Sequence, residues 1–456
     1  MDIGVILLFW FLALLAFASK DLKGLLYLFF CSMSFGSFAV IPPELTGGLS
    51  LTATPIVAVL IIFRALYTIE GRSFFVNCHA IKPLNWLFYF WVVAVLVTMF
   101  APRLFINDVL IIPVRDTPFM KAEFLQPSAQ NFSQITYLTI SVFTVFAFSF
   151  LLQQPENRIL ALKGIFWGGV SVILTGFLDL ASQYASIDFL LSPFRNATYT
   201  LLTEAQVLGS KRITGLMPEA SSFGALSIAF LSTTYFLKST YFQSALKPFV
   251  YANIGLLLLM VWFSTSSAAY VALGVFGLLV LFEIFWRAAV STKRRLYQSS
   301  VLPDVIAIFL IIIGLLLLYL IAPTVFDPLY ELFDIMVFKK SESDSYMERN
   351  FWTEVSWQAL IDSWGIGVGA GGTRASNGVV ALISNVGIIG AIFYFGFVFK
   401  TFMSQANSMF GESIILAFRW SLLPSFVTWI LVGVTPDFGL YVAFLYGLVY
   451  GLSTKH

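Results

Sequence analysis

Apolar positions along this chain do not alternate with polar ones. They run together in blocks near residues 3–19, 25–41, 51–67, 84–100, 134–153, 160–181, 221–238, 248–264, 267–287, 302–322, 377–399, 413–433 and 438–453. Roughly twenty apolar residues in a helix cross a bilayer, so the blocks predict about thirteen transmembrane helices. Three long polar stretches fall between them, at 101–133, 182–220 and 323–376. Loops of that length in a compact architecture tend to carry function. In the third, Met347, Phe351, Val355 and Ala359 recur every four positions beside Trp352 and Leu360, while Glu348, Glu354 and Asp362 fall elsewhere. That period predicts an amphipathic helix over about 346–364, lying at the membrane interface.

Composition agrees with the pattern. Of 456 residues, 59% are hydrophobic and 11% charged, where soluble domains carry about a quarter charged residues. The expected fold class is therefore all-α, with residues 1–456 forming one polytopic membrane domain. The first block follows Asp2 without a Lys/Arg segment, a pattern that favours a retained helix over a cleaved signal peptide. Basic residues mark alternate short loops: Lys20 and Lys23, Arg72 and Lys82, Arg158, Lys238 and Lys247, Arg287 with Lys293, Arg294 and Arg295, and Lys400. The positive-inside rule places those loops in the cytoplasm. All three long loops then lie outside, and Lys455 and His456 inside. Arg64 and Arg419 sit within about two turns of predicted cytoplasmic helix ends, where snorkelling accounts for them.

Charge and ligand chemistry exclude several classes. A net charge of +2, spread along the chain, leaves no nucleic-acid footprint. Cys31 and Cys78 give no disulfide framework, and two histidines without Cys/His spacing give no metal site. Metal-free chemistry without a cofactor is the expectation. There is no fixed-period repeat and no matched pair of broken helices of the kind that points to a transporter.

Candidate chemistry concentrates in the long loops. The segment "KRITGLMPEASSFGALS" sets Lys211 and Arg212 before a turn at Gly215, with Pro218 and Glu219 at the mouth of the next span. Ionisable groups at a membrane edge tend to be functional. Arg349 falls at the head of the amphipathic helix, where a cation opposes the helix dipole and an anionic partner would relieve it; guanidinium is also the preferred bidentate phosphate ligand. The stretch "GIGVGAGGTRASN" contains a formal G-x-G-x-x-G. No strand precedes it and it lacks the G-K-[ST] ending, which excludes both dinucleotide and P-loop readings. A turn built on Gly369, Gly371 and Gly372, with Arg374 beside it and a helix N-terminus below, either offers amides to an anion or packs closely on neighbouring helices. Asp437, in the outer turn "TPDFG", serves as an ion-pair partner or base, or caps the next helix. The turn "STSSAAY" at 264–270 carries further hydroxyls.

Taken together, "RITGLMPEASSFG", an arginine heading a helix in a long outer loop, and "DSWGIGVGAGG" followed by "SNGVVALISNVGIIGAIF" resemble the O-antigen polymerase and ligase superfamily of bacterial inner membranes. The resemblance covers about 205–400. It implies a GT-C-like, lipid-linked, metal-independent glycosyltransferase in the inner membrane, working on its periplasmic face. Implied substrates are glycans on undecaprenyl pyrophosphate, with membrane lipids as surroundings and a chain-length regulator as an optional partner. Arg212 and Arg349 map to the family's two outer-loop arginines and would hold the pyrophosphate together with Lys211, Arg374, the glycine turn and Asp437. Glu219 is then the preferred acceptor of the hydroxyl proton. Ligases of the superfamily carry a His in the glycine-loop region, where this chain reads Arg374, Ala375, Ser376, Asn377; its own histidines are His79, predicted cytoplasmic, and His456. A repeat-unit polymerase therefore fits better than a ligase acting on lipid A core, and a lipid-linked oligosaccharide flippase is the remaining alternative.

Overall fold

A computed structural model describes residues 3–41, 46, 50–67, 81–114, 121–198, 201–207, 210–241, 246–289, 301–323, 330, 334, 339, 343–406 and 408–453. Arg72, Cys78, His79, Lys293, Arg294, Arg295, Lys455 and His456 lie outside the described residues. The chain is an all-α polytopic membrane protein. Its helices are α1 (Ile3–Ala18), α2 (Lys23–Ser32), α3 (Ala53–Tyr67), α4 (Lys82–Leu104), α5 (Ala129–Leu151), α6 (Pro155–Ser182), α7 (Ala220–Phe236), α8 (Lys247–Phe263), α9 (Ser267–Ala289), α10 (Val301–Ile321), α11 (Asp344–Asp362), α12 (Gly378–Phe402), α13 (Met409–Val432) and α14 (Leu440–Leu452).

Each of the thirteen apolar blocks holds a helix, and α11 is the additional one. Among the described residues, seven helices are both long and apolar enough to cross a membrane: α4, α5, α6, α9, α10, α12 and most of α13. Shorter apolar helices are α1, α2, α3, α8 and α14. Two small antiparallel ribbons decorate the loops, β1 (Leu110–Ile111) with β2 (Glu123–Phe124) and β3 (Gln206–Val207) with β4 (Ser210–Lys211).

Helices associate in lipid through close packing rather than through exclusion of water, so small residues gather at the crossings. α14 runs along α5, where a side chain at Gly447 or Gly451 would strike Phe148 or Leu152. α2 runs along α6 at Gly164 and Gly168, against Phe30. Phe30, Phe148 and Phe444 meet edge-to-face at the centre, with centroids 4.7 and 5.1 Å apart; such aromatic pairs add energy beyond the area they bury. Arg64 donates to the Lys20 carbonyl and Arg419 to the Ser404 carbonyl, each at 2.6 Å. Both guanidiniums therefore reach past the helix end, as snorkelling requires.

One span is broken. Within α12, Gly387 adopts φ 74° and ψ 175°, which interrupts the helical ladder in the middle of a membrane segment. Backbone freed in this way must find partners inside the protein. The glycine-rich chain from 365 to 369 supplies them: Val368 N donates to Ser384 O and Gly369 N to Asn385 O, while Ile388 N donates to Gly365 O, all at 2.9 Å.

A Cβ at residue 387 would stand 2.1 Å from Ile366 O. Gly387→Ala should therefore cost more than the roughly 1–3 kcal/mol of the backbone conformation alone. Gly255→Ala, on α8 with no atom within 4 Å, should be neutral or slightly stabilising. Thermal unfolding of the two variants in detergent checks the contrast, and equal midpoints would show that the break contributes no rigidity.

Candidate anion site between two long loops

The loop between α6 and α7 is organised by a carboxylate from inside the bundle. Asp179, fully buried near the end of α6, accepts four hydrogen bonds from the chain above it. Its Oδ2 takes Thr214 N at 2.7 Å, Gly215 N at 2.9 Å and Thr214 Oγ1 at 3.2 Å. Its Oδ1 takes the Arg195 guanidinium at 2.8 Å. Arg195 in turn donates to Gly215 O at 2.9 Å, closing the turn from its other side. Ser37 N donates to Leu216 O at 2.9 Å, which ties the turn to the end of α2. Neither Asp179 nor Arg195 stands out in the sequence; a lone aspartate inside an apolar block was the available signal.

This anchored turn presents Arg212 on one side and Glu219 on the other. Arg212 reaches the turn before α9, where its Nε donates to Thr265 Oγ1 at 3.1 Å and its Nη2 to Thr265 O at 2.9 Å. Thr265 is held at φ 44°, which aims both oxygens at the guanidinium. Glu219 is the N-cap of α7, but its carboxylate does not cap amides; Oε1 accepts the Ser221 hydroxyl and, at 3.5 Å, that of Ser222. Pro218 precedes this cap rather than entering the first turn.

Arg349 comes from α11, which spans Asp344–Asp362 and so matches the predicted interfacial helix within two residues at each end. Of the expected apolar stripe, Ala359 and Leu360 are buried and Phe351, Trp352 and Val355 half-buried, while Glu354 and Asp362 are exposed. Ser356, Ala359 and Ser363 are buried against the protein, whereas Met347, Trp357, Ile361 and Trp364 are exposed. Small hydroxyl residues face inward because they bond the glycine-rich loop: Ser356 Oγ pairs with Thr373 Oγ1 and donates to Arg374 O, and Ser363 Oγ accepts Gly367 N. An outward row of Trp, Ile and Met suits a lipid interface. Arg349 lies in the second turn, one helical step from Thr353 and two from Ser356, on the inward side.

Arg212 lies near enough to both Glu219 and Arg349 to feel their charges. Burial lowers the proton affinity of Arg212 first; the like charge of Arg349 lowers it further, and Glu219 and Tyr270 oppose both. Arg212 is thus within electrostatic reach of one carboxylate and a second guanidinium. Among the described residues Arg349 forms no ion pair, and the constellation carries excess positive charge. Such an arrangement has the chemistry to hold a multiply charged anion.

Other predicted ligands are placed elsewhere. Lys211 pairs with exposed Glu204 at 2.8 Å on the small ribbon, and this hydrogen bond draws the Glu204 carboxyl below its ordinary range. Arg374 lies over the Trp352 ring at 3.7 Å and clamps α11 to the loop. The expected anion cradle at Gly369, Gly371 and Gly372 is corrected by the hydrogen bonding. The amides of Gly369, Ala370, Gly372 and Thr373 donate to Asn385 O, Thr98 Oγ1, Gly369 O and Asn385 Oδ1. At Gly371, φ is 75° and a Cβ would meet Gln130 O at 2.5 Å. Close packing is the loop's work, and Asn377 caps α12 below it through Val379 N and Val380 N. Asp437 is likewise not with the arginines; it accepts Gly439 N at 3.1 Å beside Tyr137 and Ser141, and burial pushes its carboxyl up.

No protein-family model, curated protein or solved structure matches this chain.

Removing one partner of a buried ion pair costs about 3–5 kcal/mol, because the other charge is left uncompensated. Asp179→Ala should therefore lower the unfolding midpoint sharply, whereas Lys211→Ala should cost under about 1 kcal/mol, as exposed pairs do. Thermal unfolding of the two variants side by side checks the ranking.

Proposed function

We propose that the protein is a polymerase that joins oligosaccharide repeat units carried on undecaprenyl pyrophosphate, as O-antigen or a related surface polysaccharide, on the periplasmic side of a bacterial inner membrane. The observation that carries this reading is the convergence of Arg212 and Arg349, from separate long loops, beside Glu219. The resemblance of residues 205–400 supplies the substrate class; the geometry supplies roles for the side chains.

In this mechanism the growing chain on its lipid pyrophosphate is the donor. A terminal hydroxyl of the incoming lipid-linked unit attacks the donor's anomeric carbon. A new glycosidic C–O bond forms as the bond from that carbon to the pyrophosphate oxygen breaks. The electron pair leaves with the lipid pyrophosphate, and Arg212 and Arg349 stabilise the charge that builds there. Preorganised cations aimed at developing charge are commonly the largest single contribution to such catalysis. Arg212 is fixed by two bonds to Thr265, so little reorganisation accompanies the step. The hydroxyl proton passes to Glu219, whose carboxylate is held by the two serines at the head of α7. The exposed Trp357, Ile361 and Trp364 on α11 lie where a polyprenyl tail would enter from the membrane.

The test is the glycan profile of a strain lacking this gene, rescued with wild type or with Arg349→Ala. Loss of Arg349 should leave lipid A core bearing one repeat unit and no ladder, at unchanged protein level. A ligase or flippase would instead leave core with no repeat at all. A full ladder from Arg349→Ala would remove the arginine from the mechanism.

A further inference from the structure

A second site lies deeper in the bundle. Between α2, α3, α5, α7 and α14 is a cavity of about 290 Å³, lined by Met33, Leu226, Tyr137, Ser141, Phe438 and Tyr441 among others, with Asp437 on its wall. Its volume is near the lower bound of ordinary ligand pockets. Its lining is apolar apart from a few groups. Leu226 is seven residues into α7 from Glu219, so the cavity begins about 10 Å along that helix from the carboxylate. Met33 connects it to the segment whose Ser37 and Gly36 pack against Leu216 and Met217 of the anchored loop.

Two polar groups of this cavity lie side by side, Ser141 and Asp437. Ser141 is 1% exposed, and its hydroxyl lies close enough to Asp437 to favour the charged form of that carboxyl. Among the described residues no Lys or Arg pairs with Asp437; its hydrogen bonds come from Gly439 N and the Ser141 hydroxyl. A carboxylate accepts hydrogen bonds and, when ionised, donates none, while a hydroxyl does both. An anion is therefore disfavoured here. A neutral molecule with adjacent hydroxyls satisfies Asp437 and Ser141 together. Its non-polar face would rest on Met33, Leu226, Phe438 and Tyr441. A sugar ring has this combination of hydroxyl edge and C–H face.

We infer that the cavity between Ser141 and Asp437 is a subsite for an uncharged sugar ring of the glycan, separate from the arginine pair that takes the phosphates. The identity of the glycan rests on the polymerase reading above; the chemistry of the subsite rests on the cavity. Asp437 holds and orients the ring through its hydroxyls. This assigns the two halves of one substrate to sites of opposite charge.

The experiment uses the full-length protein in lipid nanodiscs. The probe is the repeat-unit oligosaccharide released from the host's lipid-linked pool by mild acid, which carries neither lipid nor phosphate. Binding is read by saturation-transfer NMR and titration. Wild type should bind saturably, while Asp437→Asn, which removes the charge at constant size, and Leu226→Trp, which fills the cavity, should each weaken binding at least tenfold. Gly255→Ala serves as the folded control and should bind as wild type does. Absence of saturable binding by wild type, or binding by both cavity variants as tight as that of wild type, overturns the inference. No turnover is needed for this titration, so it can fail while the glycan ladder of Arg349→Ala still supports a polymerase, and the converse outcome is equally visible.

Discussion

A single buried carboxylate sets the geometry of the outer end of this bundle. Asp179 sits fully buried near the end of α6 and accepts bonds from Thr214, Gly215 and Arg195. An ionised group in such a place is tolerable only when its hydrogen-bonding capacity is filled and an opposite charge is near. Filling it requires the Thr214–Gly215 turn to fold down onto the bundle and Arg195 to reach across from its own loop. The positions of Arg212 and Glu219, two and four residues from that turn, follow from this satisfaction.

The second constraint is the break at Gly387. A helix interrupted within a membrane leaves carbonyls and amides that lipid cannot satisfy. The 365–372 loop answers them, and α11 is bonded to the same loop by Ser356, Ser363 and the stacked Arg374–Trp352 pair. Arg349 is thereby carried to Arg212 by a helix that would otherwise lie free on the interface. The inward face of α11 sets Ser356 and Ser363 beside Ala359 and Leu360 because part of its contact surface is backbone, and its exposed side mixes Trp357, Ile361 and Trp364 with Glu354 and Asp362.

These constraints separate positive and negative chemistry. The arginine pair lies at the level of the loops, with one nearby carboxylate. Asp437, in the turn between α13 and α14, lines a cavity whose described wall residues include no Lys or Arg. Opposite charges kept apart in this way stay available to a ligand instead of neutralising each other, as Lys211 and Glu204 do on the exposed ribbon.

Much of the architecture was legible from the chain alone. The apolar blocks are long enough that only helices in a bilayer satisfy their backbone, so the helical class, the block positions and the extra helix near 346–364 follow from local rules. Arg212, Glu219 and Arg349 were legible as charges beside predicted membrane spans. What the chain alone left open depends on partners far apart in sequence. Asp179 reads as an isolated polar residue until the 214–215 turn lies on it, and the glycine run reads as a flexible anion loop until Ser384, Asn385 and Thr98 occupy its amides. Hydrogen bonds of this kind have no local period, so composition and spacing cannot announce them; only the tertiary arrangement decides which donors are spent inside the protein and which charges remain for a ligand.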